Sequence, residues 1–102
     1  MFQENAKLKR EIFGDLQHYL AKIKEVVLNA DPNSRVYLFG SVSTGNYNMA
    51  SDIDILIVTS VDRDRIDKAL EKENLGFPFE FHIRSKETAE PYFKHIKEIK
   101  LI

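Results

Sequence analysis

The chain has 102 residues, a net charge of −1 and no cysteine. That length holds a single domain, expected to run from 1 to 102. The near-neutral balance gives no sign of a nucleic-acid or membrane surface, and the missing thiols exclude disulfides and cysteine chemistry.

Apolar residues make up 43% of the chain, enough for a packed core. No run approaches the ~18 apolar residues of a membrane span. The start, "MFQENAKLKREIF", is charged and mixed and does not read as a signal peptide. The expectation is a cytoplasmic domain with no membrane partner and no direct nucleic-acid binding.

From Phe2 to Ala30 the pattern predicts one helix. Leu8, Ile12, Leu16, Tyr19, Leu20, Ile23, Val26 and Val27 fall on a stripe roughly 120° wide. Gly14 sits on the opposite face, and "NADPN" ends the helix because Pro32 disfavours it at Asp31. "RVYLFG" (35–40) is β-branched, aromatic and closed by glycine, a strand. A helical turn is expected at "SVSTG". "DIDILIVTS" (52–60) is a second strand, apolar on both faces after its start, as a central covered strand requires.

"VDRDRIDKALEKENLG" reads as a short helix with Ser60 or Asp62 as N-cap and Gly76 ending it in the left-handed conformation. "FPFEFHIRS" is a third strand with Pro78 at its entrance. "SKETAEPYFKHIKEIKLI" predicts a closing helix capped by Ser85 or Thr88, with Pro91 in its first turn and Tyr92, Ile96 and Ile99 on its apolar stripe. The fold class is therefore α/β, in the order α-β-α-β-α-β-α with helices on a small mixed sheet.

Two aspartates at the mouth of an apolar strand call for a reason, since aspartate is a poor strand former. Side chains alternate along a strand, so Asp52 and Asp54 share a face and Ile53, Ile55 and Ile57 share the other. In the third strand Phe79, Phe81 and Ile83 share one face, and Glu80, His82 and Arg84 the opposite one. If the two strands are neighbours, Asp52, Asp54 and Glu80 form one acidic surface. Three clustered anions need a counter-charge, and a divalent cation such as Mg²⁺ supplies it. Two such ions can clamp an in-line displacement at phosphorus. Gly40 lets a phosphate approach the backbone, and Ser41 offers a hydroxyl and an N–H. Ser43 and Thr44 of the same turn join them as nucleotide-binding candidates.

Gly40-Ser41, ten intervening residues, then Asp52-x-Asp54 and a later strand carboxylate resemble the minimal nucleotidyltransferase family of the DNA polymerase β superfamily. The likeness runs from "VYLFGS" through "DIDILIV" to "FEFHI". It implies a small mixed sheet with helices packed on one side. It also implies transfer of a nucleoside monophosphate, AMP from ATP or another nucleoside triphosphate, with two Mg²⁺ ions and release of pyrophosphate. By position, Gly40 and Ser41 bind the triphosphate, Asp52 and Asp54 ligate both ions, and Glu80 ligates one and takes the acceptor's proton. The superfamily's third carboxylate is often aspartate, where this chain has glutamate. Members this short resemble the antitoxin of a toxin–antitoxin pair whose partner is a HEPN-domain ribonuclease modified on tyrosine.

Simpler readings compete. Asp52 can be a strand-entry residue, Glu80 a solvated edge charge and Ser41 a helix cap. His82 is read first as a structural histidine, Arg84 as a surface charge, and Tyr47 as loop packing or a base-stacking ring. The alternative function is a non-catalytic nucleotide-binding antitoxin acting by contact, with Phe13, Leu28 and the Leu101-Ile102 tail as its interface.

Overall fold

The computed structural model describes residues 2–45 and 52–102. Tyr47 and the rest of 46–51 lie outside that description. The N-terminal apolar stripe forms two helices, α1 (Phe2–Gly14) and α2 (Leu16–Ala30), where the spacing predicted one. Asp15 breaks the run with φ −139° and ψ 41°, and its carbonyl then receives the His18 and Tyr19 amides that begin α2. Glycine followed by aspartate is a weak point in a helix and a good place to restart one. An unbroken helix from 2 to 30 would be about 43 Å long, longer than the 38 Å greatest extent of the molecule. The break lets Ile12 join Leu20, Ile23 and Val27 in one cluster, while Leu8 stays exposed.

Four strands follow as β1 (Arg35–Phe39), β2 (Ile53–Val58), β3 (Phe79–Arg84) and β4 (Ile99–Leu101). Between them lie α3 (Ser41–Thr44), α4 (Arg63–Lys72) and α5 (Lys86–His95). The sheet order is β3-β2-β1-β4. β1 pairs antiparallel with β2 and with β4, and β2 pairs parallel with β3. This is the mixed sheet of the expected α/β class.

Val36, Leu38, Ile53, Ile55, Ile57, Phe79 and Ile83 face α1, α2 and α4 in the main core. Every other residue points the opposite way. That second face is covered in part by α5: the Tyr37 ring meets Phe93 at 5.0 Å and the Phe39 ring meets Tyr92 at 5.6 Å. The helices are thus not confined to one side. The expected continuous burial of β2 holds, with Ile53, Ile55, Leu56 and Ile57 all inaccessible to solvent.

Four local expectations change. The chain after His95 is not helix. Ile96 turns extended, and β4 pairs Phe39 with Ile99 and Tyr37 with Leu101. The spacing of Ile96 and Ile99 suits a helix, but the outer edge of β1 needs hydrogen-bond partners and these residues supply them. Ile102 then packs on the core and donates its amide to Val36, while Leu101 is exposed. Pro91 lies in the second turn of α5, because the reciprocal Ser85–Thr88 capping box sets the helix start. After α4 the left-handed residue is Asn74 (φ 57°), not Gly76; asparagine tolerates that conformation. Phe13, expected as interface, packs against the core. Among the described residues no helix is long and apolar enough to cross a membrane.

One buried charge ties the frame together. Asp31, 5% exposed, ends α2 and accepts the Thr59 hydroxyl at 2.6 Å and the Asn33 amide at 3.0 Å. The Thr59 hydroxyl holds its carboxyl below the usual carboxylate range, and the Asn33 and Ser60 amides and the Arg65 charge help against the opposing pull of burial. The folded value lies below the unfolded one. The ionised group therefore contributes stability above about pH 4 and loses it as pH falls through the folded value. Asp31→Asn should be less stable than the parent at pH 7 by about 1–3 kcal/mol. In urea unfolding the gap should narrow towards pH 3, and a gap independent of pH would contradict this role.

Candidate active site

The parallel register sets Asp54 directly beside Glu80, and Leu56 beside His82. On the other flank Phe39 pairs with Asp54. Asp54 therefore sits in the middle of three strands, near the point where β1 gives way to Gly40. The alternation read from the sequence holds: Asp54, Glu80 and His82 share the face opposite the main core.

Gly40 explains how Asp54 fits. Its φ of 80° with ψ of −163° is a combination essentially reserved for glycine. A Cβ there would overlap Asp54 Oδ2 and lie 3.2 Å from its Cγ. The glycine thus leaves room for the carboxylate itself. From Gly40 the chain enters the short turn α3, where the Ser43 amide donates to the Gly40 carbonyl at 3.1 Å. Ser41 begins that turn and is exposed.

The side chains that converge are Asp54, Glu80 and His82, each offering a ligand atom within 4.8 Å of the others. His82 Nε2 lies 3.5 Å from Asp54 Oδ1 and 3.7 Å from Glu80 Oε1. These separations are too long for good hydrogen bonds, and among the described residues Nε2 is buried with no hydrogen-bond partner. The other ring nitrogen, Nδ1, is 3.1 Å from the Tyr92 hydroxyl. Burial pushes the Asp54 carboxyl above its ordinary range. His82 pulls it down, while the charges of Glu80 and Asp52 add to the rise.

Asp52 lies one pleat before Asp54, just outside β2, and is exposed. Its charge reaches Asp54, and its carboxylate lies outside the close group of Asp54, Glu80 and His82. Arg84 stacks over the Tyr92 ring at 5.6 Å and donates to the Ile83 carbonyl at 2.9 Å. Among the described residues it makes no ion pair with the carboxylates. Ser43 is buried, and its hydroxyl donates to the carbonyl of Gly40 at 2.7 Å or of Glu98 at 3.2 Å. Thr44 donates to the Ser41 carbonyl at 2.9 Å. Both hydroxyls brace the α3 turn. A groove of about 680 Å³ between α5 and the far ends of β1 and β2 is lined by Arg35, Tyr37, Val58 and Phe93 and holds none of the converging residues.

Two carboxylates, a buried nitrogen without a partner and a glycine cradle together suit a divalent cation. A nucleotidyltransferase domain model matches residues 20–102. The chain belongs to the nucleotidyltransferase-domain family. A crystal structure of a candidate nucleotidyltransferase is 32% identical, with 81% of this chain and 96% of that one covered and a TM-score of 0.66. A second candidate, from Sulfolobus solfataricus, is 22% identical over 95% of this chain and 85% of its own, with a TM-score of 0.62, and shares the fold. The minimal nucleotidyltransferase family named from the sequence fits these matches.

His82 and Tyr92 are what sequence reasoning underrated in this nucleotidyltransferase. The alternation placed His82 on the right face, but nothing in the sequence showed that Tyr92 would fold back to orient it.

Two expected outcomes follow for the transferase's carboxylate pocket. Gly40→Ala should cost at least about 1–3 kcal/mol and displace Asp54, so that divalent-ion binding by calorimetry is lost. Gly45→Ala is the control: φ is also positive at 79°, but an added Cβ meets no atom of the described residues within 4 Å. It should cost about 1–2 kcal/mol and leave ion binding intact. The second concerns Asp54→Asn without metal. Because the folded carboxyl titrates above its unfolded value, its ionisation weakens the fold as pH rises through that value. The variant should be as stable as the parent at pH 7, or more stable by up to about 1 kcal/mol. Its advantage should shrink towards pH 4. A large destabilisation in thermal melts would make Asp54 a structural residue.

Proposed function

We propose that this nucleotidyltransferase moves AMP from ATP onto a hydroxyl of a partner protein, as the antitoxin of a HEPN toxin–antitoxin pair. The observation that carries the reading is the register that sets Asp54 beside Glu80, next to the Gly40–Ser41 turn. Asp52, Asp54 and Glu80 are the residues that would hold two Mg²⁺ ions. When bound, such ions supply charge neutralisation for the phosphates and acidify the acceptor hydroxyl.

The chain's own residues do the rest. Gly40 and Ser41 hold the triphosphate at the start of α3, Gly40 by allowing close approach and Ser41 by its hydroxyl and amide. The Glu80 side chain is 57% exposed, so an acceptor presented by another protein reaches it from outside. Glu80 accepts the hydroxyl proton as the new P–O bond forms at the α-phosphorus. The bond between the α-phosphorus and the bridging oxygen breaks, and pyrophosphate leaves with that electron pair. The HEPN partner rests on the family resemblance, and the exposed Glu80 is compatible with it.

The test is incubation with the partner protein, Mg²⁺ and ATP labelled at the α-phosphate. Label should appear on the partner with one pyrophosphate released per transfer. Asp54→Asn should reduce the rate by about 100-fold or more. ATP binding without label on any protein, together with full protection of cells by an Asp52→Asn/Asp54→Asn variant, would replace transfer with neutralisation by contact.

A further inference from the structure

We propose that His82 is itself a ligand of the divalent ion, through Nε2, and that this nitrogen makes the site favour first-row transition ions over Mg²⁺. The inference rests on the reading above that Asp54 and Glu80 hold an ion.

The first argument is the state of Nε2. A buried polar atom without a hydrogen bond costs about 1–3 kcal/mol, and among the described residues His82 Nε2 has no such partner. It is not turned towards apolar packing, where nothing would meet it. It faces the gap between Asp54 Oδ1 at 3.5 Å and Glu80 Oε1 at 3.7 Å. Two donors bound to one ion at ~2.1 Å each stand ~3.0–3.5 Å apart for octahedral to tetrahedral angles. The observed separations exceed hydrogen-bond lengths, yet they lie within a few tenths of an ångström of that span.

The second argument is the support behind the ring. A histidine that binds metal through one nitrogen commonly donates the other N–H to an oxygen that fixes its tautomer. His82 Nδ1 has such an oxygen in the Tyr92 hydroxyl at 3.1 Å. With the Nδ1 proton on that bond, the Nε2 lone pair points at the carboxylates. The ring is held edge-to-face by Phe39 at 5.0 Å and by Tyr92 at 5.7 Å. Backbone pairing of β3 to the central strand fixes its base, setting His82 level with Leu56. Tyr92 is a positioning residue in this scheme, acting through His82.

The chemical consequence concerns ion choice. Mg²⁺ favours hard oxygen donors, whereas imidazole nitrogen strengthens binding of Co²⁺, Ni²⁺ or Zn²⁺, and Mn²⁺ follows to a lesser degree. An imidazole added to the carboxylates discriminates where carboxylates alone would not.

The experiment uses the full chain loaded with Mn²⁺ and read by pulsed electron paramagnetic resonance. Nitrogen coupling from a directly bound imidazole is expected, and it should change when the histidines carry ¹⁵N. His82→Gln should abolish it. In calorimetry that variant should lose at least about tenfold in Co²⁺ affinity while Mg²⁺ affinity changes less than about threefold. Tyr92→Phe should retain the nitrogen signal and weaken Co²⁺ binding by about tenfold. Mn²⁺ bound with no nitrogen coupling in the parent protein would overturn the inference and leave the carboxylate site standing. Equal losses for Mg²⁺ and Co²⁺ in His82→Gln would also overturn it. No ion bound at all would remove the two-carboxylate reading as well. Nitrogen coupling in a protein that transfers no nucleotide would support the ligand and sink the transfer reaction alone.

Discussion

The structure depends on one placement: a carboxylate set into a middle strand otherwise built from isoleucine, leucine and valine. Asp54 is flanked by Phe39 on one strand and Glu80 on the other. Burial alone raises the free energy of its charged form, and a neighbouring acid raises it further. The surroundings compensate in two ways. Gly40 vacates the space that a side chain would take, and His82 brings a ring nitrogen to the same spot. Neither removes the crowding of negative charge. That residual imbalance is what makes a cation the natural complement of the site, and it is why a fold with this feature suits chemistry on polyphosphates.

The rest of the molecule keeps that placement rigid. The core packs α1, α2 and α4 against one face of the sheet, so β2 cannot twist away from its neighbours. On the other face α5 covers only the half that carries aromatic residues, leaving Glu80 open to solvent. The same helix delivers Tyr92 to His82. A single element therefore closes the apolar part of the face and orients the polar part. At the far end of the strands, Asp31 and Thr59 join the turn after α2 to the end of β2 through a buried hydrogen bond. This leaves the sheet pinned at both ends, with its charged centre held between two covalently distant turns.

Much of this was legible in the residues. The period-2 pattern of "DIDILIV" and "FEFHIR" decided which side chains share a face, and the parallel register agreed with it. The glycine before Ser41 was read as a place for phosphate to approach. Its closest neighbour proved to be Asp54, a long-range relation that no local pattern contains. The C-terminal "KEIKLI" satisfies a helical and an extended period alike, and its hydrogen bonds to β1 settled which one holds. The N-terminal stripe was correct from Ile12 onward, with Leu8 exposed, but silent about Asp15, because the bend serves the length of the core and not local propensity.

By itself the sequence determined the class of the fold and the faces of its strands, which follow from alternation and short-range chemistry, and its loop-and-carboxylate spacing carried the resemblance to nucleotidyltransferases. Only the tertiary structure decided that His82 rather than Asp52 stands closest to Asp54 and Glu80, that Tyr92 orients it, and that the last residues form an edge strand. Those outcomes depend on which distant segments pack together, and packing compares whole surfaces where a sequence pattern compares neighbours.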